Sequence, residues 1–112
     1  MSADSTLVLY GIRFETGDEQ RPGLESRTDP RIRTARDHQL AHWWGNFSVD
    51  EINEQSYLFI GTLLGHVGHE GVYELRLGDS ELSSTMLQTK QKLSTAGFEG
   101  EPSLFIQFEP DY

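Results

Sequence analysis

The chain contains no cysteine and carries few basic residues. Among its 112 residues are nine Lys and Arg against eighteen Asp and Glu, which gives a formal net charge of -9. Without cysteine there is no disulfide framework and no thiolate metal site, and this composition fits a reducing compartment, the cytoplasm. An acidic chain also lacks the basic footprint of nucleic-acid binding and of attachment to anionic membranes. We therefore expect neither of those, and any protein partner to be basic.

Long hydrophobic runs are absent as well. The longest apolar candidate, residues 57–64, has the length of a buried strand and falls far short of the roughly 20 residues that cross a membrane. No Lys or Arg precedes the first apolar run, as a secretory signal would require. We expect one soluble domain over residues 1–112 that begins with a disordered segment at residues 1–5. The oligomeric state does not follow from the sequence.

Hydrophobic periodicity predicts an α+β fold. Segments rich in β-branched and aromatic residues predict strands at residues 6–14, 57–64, 72–77 and 103–108. Helical spacing predicts two main helices, at residues 29–44 and 79–96. Asp29 and Pro30 favour the start of the first helix, and Gly97 is expected to end the second in a left-handed conformation. In the last strand the row predicted to face the core is Leu104, Ile106 and Phe108.

The order of these elements is the β-α-β-β-α-β pattern of ferredoxin-like folds. It predicts a four-stranded antiparallel sheet with both main helices on one face. A capping box at residues 48–51 adds a short helix at residues 49–55. Residues 49–64 have an alternative interpretation as one continuous helix, although Gly61 and the aromatic composition favour the strand. Residues 15–28 are predicted to form a long polar loop.

The four histidines suggest metal binding. His38 and His42 would share a face of the first predicted helix, and His66 and His69 lie in a glycine-rich turn at residues 65–71. Imidazole pairs at these spacings can chelate zinc, so one alternative is a zinc-binding protein or a small metal-dependent hydrolase. The H-E-x-x-H motif is absent, and we expect solvent-exposed histidines with no cofactor.

Aromatic and arginine side chains are the candidate binding residues. Trp44 and Phe47 lie at the end of the first predicted helix, where Trp44 points about 100° away from the buried stripe. They are candidates for an aromatic binding patch. The arginines could hold a phosphate or carboxylate near a helix N-terminus, or pair with the protein's own acids. These residues are Arg27, Arg31, Arg33 and Arg36.

No catalytic motif accompanies these residues. The chain has neither a G-x-S-x-G nucleophile turn nor a glycine-rich phosphate loop. The sequence therefore favours a non-enzymatic protein-interaction or regulatory domain that acts through its acidic surface and an aromatic patch.

Overall fold

The computed structural model describes residues 5–68 and 71–109. Its four strands are β1 (Ser5–Glu15), β2 (Ala41–Ser48), β3 (Glu54–Gly68) and β4 (Ser103–Glu109). Its helices are α1 (Arg21–Glu25), α2 (Pro30–Asp37) and α3 (Asp79–Ala96). Neighbouring strands are antiparallel in the order β2-β3-β1-β4. The predicted α+β class, with four antiparallel strands and two longer helices, is confirmed.

The β2–β3 hairpin is built from other segments than those predicted for a hairpin. Helix α2 ends at Asp37, so residues 41–44 are not helical, and residues 41–48 form strand β2 against β3. Residues 72–77 form no strand, and only Val72 makes an isolated bridge, to Val67. The prediction was wrong because the aromatic residues of the 41–48 segment also fit helical spacing, whereas their bulk favours a strand.

The segment after β2 is a turn, so both helical interpretations of it were wrong. The carboxylate of Asp50 accepts hydrogen bonds from the backbone N–H groups of Ile52 (2.9 Å) and Asn53 (2.8 Å). Asp50 thus closes a tight turn before β3, as Asp side chains commonly do. Upstream, the predicted polar loop contains α1 and a short 3-10 helix at Asp18–Gln20. Ser5 already belongs to β1, whereas residues 1–4 lie outside the described residues.

The sheet separates two hydrophobic clusters, because successive side chains of a strand point to opposite faces. On the face that carries the helices, residues of α1, α2 and α3 pack on the central strands: Leu24, Ile32, Ala35 and Leu93 against Ile12, Leu58 and Ile60. The other face holds Leu7, Leu9, Phe47, Tyr57 and Phe59. Phe47 and Phe59 meet edge to face with centroids 5.2 Å apart.

The sheet curls strongly around this second cluster. Although β2 and β4 are the two edge strands, the side-chain Nε2 of Gln107 in β4 donates to the carbonyl of Ser48 in β2 at 3.0 Å. Gly11 and Gly61 lie opposite each other on the two central strands. A Cβ added to Gly11 would lie 2.7 Å from the Cα of Gly61, so the two backbones approach more closely than side chains allow. Glycine at such a position favours a sharp bend of the sheet.

Strand β4 has the opposite orientation from the one predicted. Its anchor is the partly buried Phe105, whose ring lies 5.3 Å from that of Phe59. Leu104, Ile106 and Phe108, expected in the core, are 48, 70 and 43% exposed. They lie on the helix face of the sheet, where no described helix covers β4. None of the described helices is both long enough and apolar enough to cross a membrane.

Candidate functional site

A cleft of about 520 Å³ opens beside the edge strand β2. Its lining residues, which we call the β2 cleft, are Leu24, Glu25, Arg27, His42, Trp43 and Trp44. Trp43 and Trp44 are adjacent in β2 and therefore point to opposite faces of the sheet. A cleft that both of these residues line lies along the outer edge of the strand. The C-terminal end of α1 forms its other wall.

Arg27 occupies an unusual backbone position at that wall. Its φ is 62°, in the left-handed region. The N–H of Arg27 donates to the Leu24 carbonyl at 3.3 Å, and that of Thr28 donates to the Gly23 carbonyl at 2.9 Å. These two bonds form the Schellman motif, whose left-handed residue is usually glycine. An ordinary side chain costs about 1–2 kcal/mol there. Such strain at a cleft points to a functional side chain.

The charged groups in and beside the β2 cleft are mainly positive, with Arg21, Arg27 and Arg36 against Glu25. Burial lowers the pKa of His42 below its ordinary value, and the charges of Arg27 and Arg36 lower it further. The imidazole is therefore neutral at neutral pH and can donate a hydrogen bond from one ring nitrogen. Among the described residues neither arginine forms an ion pair, whereas Glu25 pairs with Arg21 at 3.5 Å. An anion in the cleft could therefore pair with Arg27 or Arg36, since no described acidic side chain forms an ion pair with either.

Of the four arginines singled out from the sequence, Arg31 pairs with the protein itself. Its Nη2 lies 2.9 Å from Asp29 Oδ2, and its backbone N–H donates to Asp29 Oδ1, also at 2.9 Å. The hydrogen bond from Arg31 lowers the pKa of Asp29. The carboxylate of Asp29 thus already occupies the N-terminus of α2, where an external anion was considered. Arg33 is exposed on the same helix.

Trp44 and Phe47 do not form a surface patch. The ring of Phe47 is fully buried between Tyr57 and Phe59. Trp44 faces the helices, packs against the core and donates from Nε1 to Thr16 Oγ1 at 3.3 Å. Alternation along β2 places Trp44 and Phe47 on opposite faces of the sheet, so the two residues share no surface.

The structure separates the three histidines that it describes. His38 follows α2 as its C-terminal cap, His42 lies in β2 and His66 in β3. His69 lies outside the described residues. Within residues 5–68 and 71–109 no group of three His, Asp or Glu side chains is placed to hold a metal ion. Zinc binding stays a prediction.

His66 is a structural residue rather than the exposed bystander expected from the sequence. Its Nε2 lies 2.8 Å from Ser5 Oγ and 3.1 Å from Glu109 Oε2, and its ring lies 5.2 Å from that of Trp43. A serine–histidine–acid relay needs the serine on one ring nitrogen and the acid on the other. Here both partners meet the same nitrogen, so the arrangement joins β1, β3 and β4 without a relay.

A second exposed feature lies on the opposite edge of the sheet. Leu104, Ile106 and Phe108, which we call the β4 row, form an apolar stripe on a strand whose outer edge pairs with no described strand. Exposed Glu99 and Glu101 precede the row. The alternation of this row could be read from the sequence. That no described helix would cover it could not.

No protein family, curated protein or solved structure matches this chain.

Proposed function

We propose that this protein is a non-enzymatic protein-interaction domain that binds an extended, basic segment of a partner along β4. The observation that carries the proposal is the β4 row, because large apolar side chains stand exposed on an edge strand. An unpaired edge offers backbone N–H and C=O groups to an added strand. In recognition by strand addition the main chain supplies affinity, and alternate side chains supply specificity.

The rigidity of β4 supports this role. Phe105 anchors its inner face against Phe59, and Gln107 donates to the Ser48 carbonyl while accepting from Arg13 at 3.5 Å. A strand already fixed by these contacts loses little conformational freedom when a partner adds to it, and such preorganisation favours affinity. The concave face is occupied by the aromatic cluster, so the partner's apolar side chains would pack on the helix side.

Charge selects the partner. The strand is flanked by Glu99 and Glu101 at its start and carries Glu109 at its end, within a chain of net charge -9. Lys or Arg residues on both sides of the partner's central apolar residues would complement these acids. A second copy of this chain would bring like charges together, which disfavours self-pairing. Oppositely charged association is expected to weaken as salt shortens the screening length to about 10 Å at 0.1 M.

The finer fold classification is part of the same proposal. The order β2-β3-β1-β4, with β1 and β2 both antiparallel to the β3 strand between them, supports a ferredoxin-like arrangement. That fold hosts unrelated functions, so it does not itself indicate this one. The cysteine-free composition supports a cytoplasmic location.

The test is a titration of isotope-labelled protein with synthetic peptides, followed by amide NMR. The first peptide alternates Val and Thr and is flanked by Lys, and a matched peptide carries Glu in place of Lys. We expect the Lys peptide to shift amide signals of residues 103–109 and to bind more weakly at higher salt. The Glu peptide is expected to bind at least about tenfold more weakly, a difference of ~1.4 kcal/mol.

Two matched variants locate the surface. Ile106→Asp places a charge in the middle of the β4 row and is expected to abolish binding of the Lys peptide. Leu87→Asp makes the same change on α3, at a side chain that is 58% exposed, and is expected to leave binding unchanged. Equal binding of both peptides, or equal loss in both variants, would contradict the proposal. A dimer in sedimentation that Ile106→Asp dissolves would instead identify a second copy as the occupant.

A further inference from the structure

The β2 cleft is a second candidate binding site, and it lies on the opposite sheet edge from the β4 row. It combines a volume of about 520 Å³ with two indoles, one arginine and one histidine. Ligand sites typically pair apolar and aromatic walls with a few polar groups that fix orientation, in volumes of this order. We propose that the β2 cleft binds a small organic anion, a carboxylate or phosphate ester, whose planar part contacts Trp44.

Arg27 is the residue expected to hold the negative group. It is exposed, it lines the cleft, and it forms no ion pair among the described residues. A guanidinium offers paired donors that match the geometry of carboxylate and phosphate. The left-handed φ of 62° adds an independent argument, since glycine would fit this helix end better for stability.

His42 and Trp44 supply the rest of the site. His42 lies on the same face of β2 as Trp44, and the charge of Arg36 acts on it together with that of Arg27. The neutral imidazole can donate one hydrogen bond to the anion, beside the guanidinium. Glu25 is the one acidic residue of the lining, and Arg21, 3.5 Å away, offsets part of its charge. These features favour an anion over a cation in the cleft.

The two tryptophans make the site directly observable. They are the only tryptophans of the chain, and both line the β2 cleft. Their fluorescence responds to a ligand in this cleft and also to changes in the two hydrophobic clusters that the indoles contact. Three probes separate the contributions: phenyl phosphate carries ring and charge, inorganic phosphate carries charge only, and phenol carries the ring only. We expect saturable quenching by phenyl phosphate, at least about tenfold weaker binding of inorganic phosphate, and no saturable binding of phenol.

Three variants distinguish the side chain of Arg27 from its backbone and from its charge. Arg27→Gly removes the guanidinium and relieves the left-handed position, so binding is expected to fall at least about tenfold while the melting temperature does not fall. Gln39→Gly gives the same backbone relief at φ 59°, away from the cleft, and is expected to bind normally. Arg33→Gln removes an equivalent surface charge outside the cleft lining and is also expected to bind normally.

The outcomes separate clearly. Normal binding by Arg27→Gly, equal loss in Arg27→Gly and Arg33→Gln, or absence of saturable quenching in the parent protein would each overturn the proposal. Saturable binding of phenol as tight as that of phenyl phosphate would show an apolar site and would overturn it too. The peptide titration of β4 is independent of all these results, because neither Arg27 nor the indoles belong to the β4 row.

Discussion

The two edge strands of the sheet have similar compositions and opposite surroundings. Both carry aromatic side chains on both faces, Trp43, Trp44 and Phe47 in β2 and Phe105 and Phe108 in β4. In β2 both faces are covered, with Trp44 under the helices and Phe47 within the concave cluster. In β4 only the concave face is covered, through Phe105, while Ile106 on the helix face is 70% exposed. An apolar edge strand is therefore core or surface according to where the helices lie, and this one sheet has one edge of each kind.

The largest expected effect comes from shortening a β2 side chain. Phe47→Ala empties a fully buried position between Tyr57 and Phe59 and is expected to cost about 4 kcal/mol of unfolding free energy. Ile106→Ala in β4 is expected to stay within about 0.5 kcal/mol of the parent, as exposed substitutions usually do. Urea denaturation of both variants measures the difference. Comparable losses would mean that the β4 row is covered in solution.

The next effect concerns the bend that brings the two edges together. Gly11→Ala would place a Cβ against the backbone of Gly61, where neither strand can yield without losing its pairing. We expect a loss of about 3 kcal/mol, at the upper end of overpacking effects. Gly45→Ala is the control, because its Cβ would lie at an ordinary 3.8 Å from the Phe47 ring. Thermal melts that place both variants near the parent would argue against a close approach at Gly11.

The sequence predicted the class of this fold better than its segments. The α+β class, three of the four strands and the two main helices follow from local periodicity, and so does the left-handed end of α3 at Gly97, whose φ is 86°. The predicted hairpin joined residues 57–64 to residues 72–77, whereas in the structure β3 forms its hairpin with the preceding segment, β2. The aromatic residues of 41–48 recur at a spacing that also fits a helix, and residues 72–77 alternate like a strand but find no neighbouring edge. Which strands pair is decided by contacts between distant parts of the chain, and local sequence patterns do not report those contacts.

The candidate sites were less predictable for the same reason. The β2 cleft joins Arg27, at the end of a five-residue helix, to two tryptophans on a strand, and those segments were predicted as loop and helix. Arg27 was recognised as an anion-binding candidate, but its left-handed backbone has no sequence signal. The β4 row is exposed because none of the described helices covers it, and the alternation of residues along the strand cannot reveal this. His66 was expected in a turn because glycines surround it. In the structure β3 continues through Gly65 and includes His66.

His66 tests the junction between the central strands and β4. His66→Ala removes the contacts to Ser5 and Glu109 and the packing against Trp43. We expect a loss of about 1–2 kcal/mol, the size of a hydrogen bond plus an aromatic contact. The loss should be the same with added zinc and with a chelator, as measured by chemical denaturation. A parent protein that zinc stabilises, and a variant that it does not, would revive the metal-binding prediction.

The smallest effects come from the helix ends that lead into the two edge strands. Helix α2 ends before β2 with Gln39 at φ 59°, and α3 ends before β4 with Gly97 at φ 86°. In both, the next N–H bonds back into the helix, from Leu40 to the Ala35 carbonyl (2.8 Å) and from Phe98 to the Leu93 carbonyl (3.0 Å). The two ends share one geometry and differ in the residue that adopts it.

That difference predicts changes of opposite sign. Gly97→Ala forces a Cβ into the left-handed region and is expected to cost about 1 kcal/mol, since the position has open space and only the backbone resists. Gln39→Gly relieves the same strain but gains freedom in the unfolded chain, so we expect a net stabilisation of about 0.5 kcal/mol. Matched urea curves resolve the signs. If Gln39→Gly lowers the free energy of unfolding, the exposed Gln39 side chain must itself stabilise the start of β2. The stability of this edge strand would then depend on more than the residues packed against its faces.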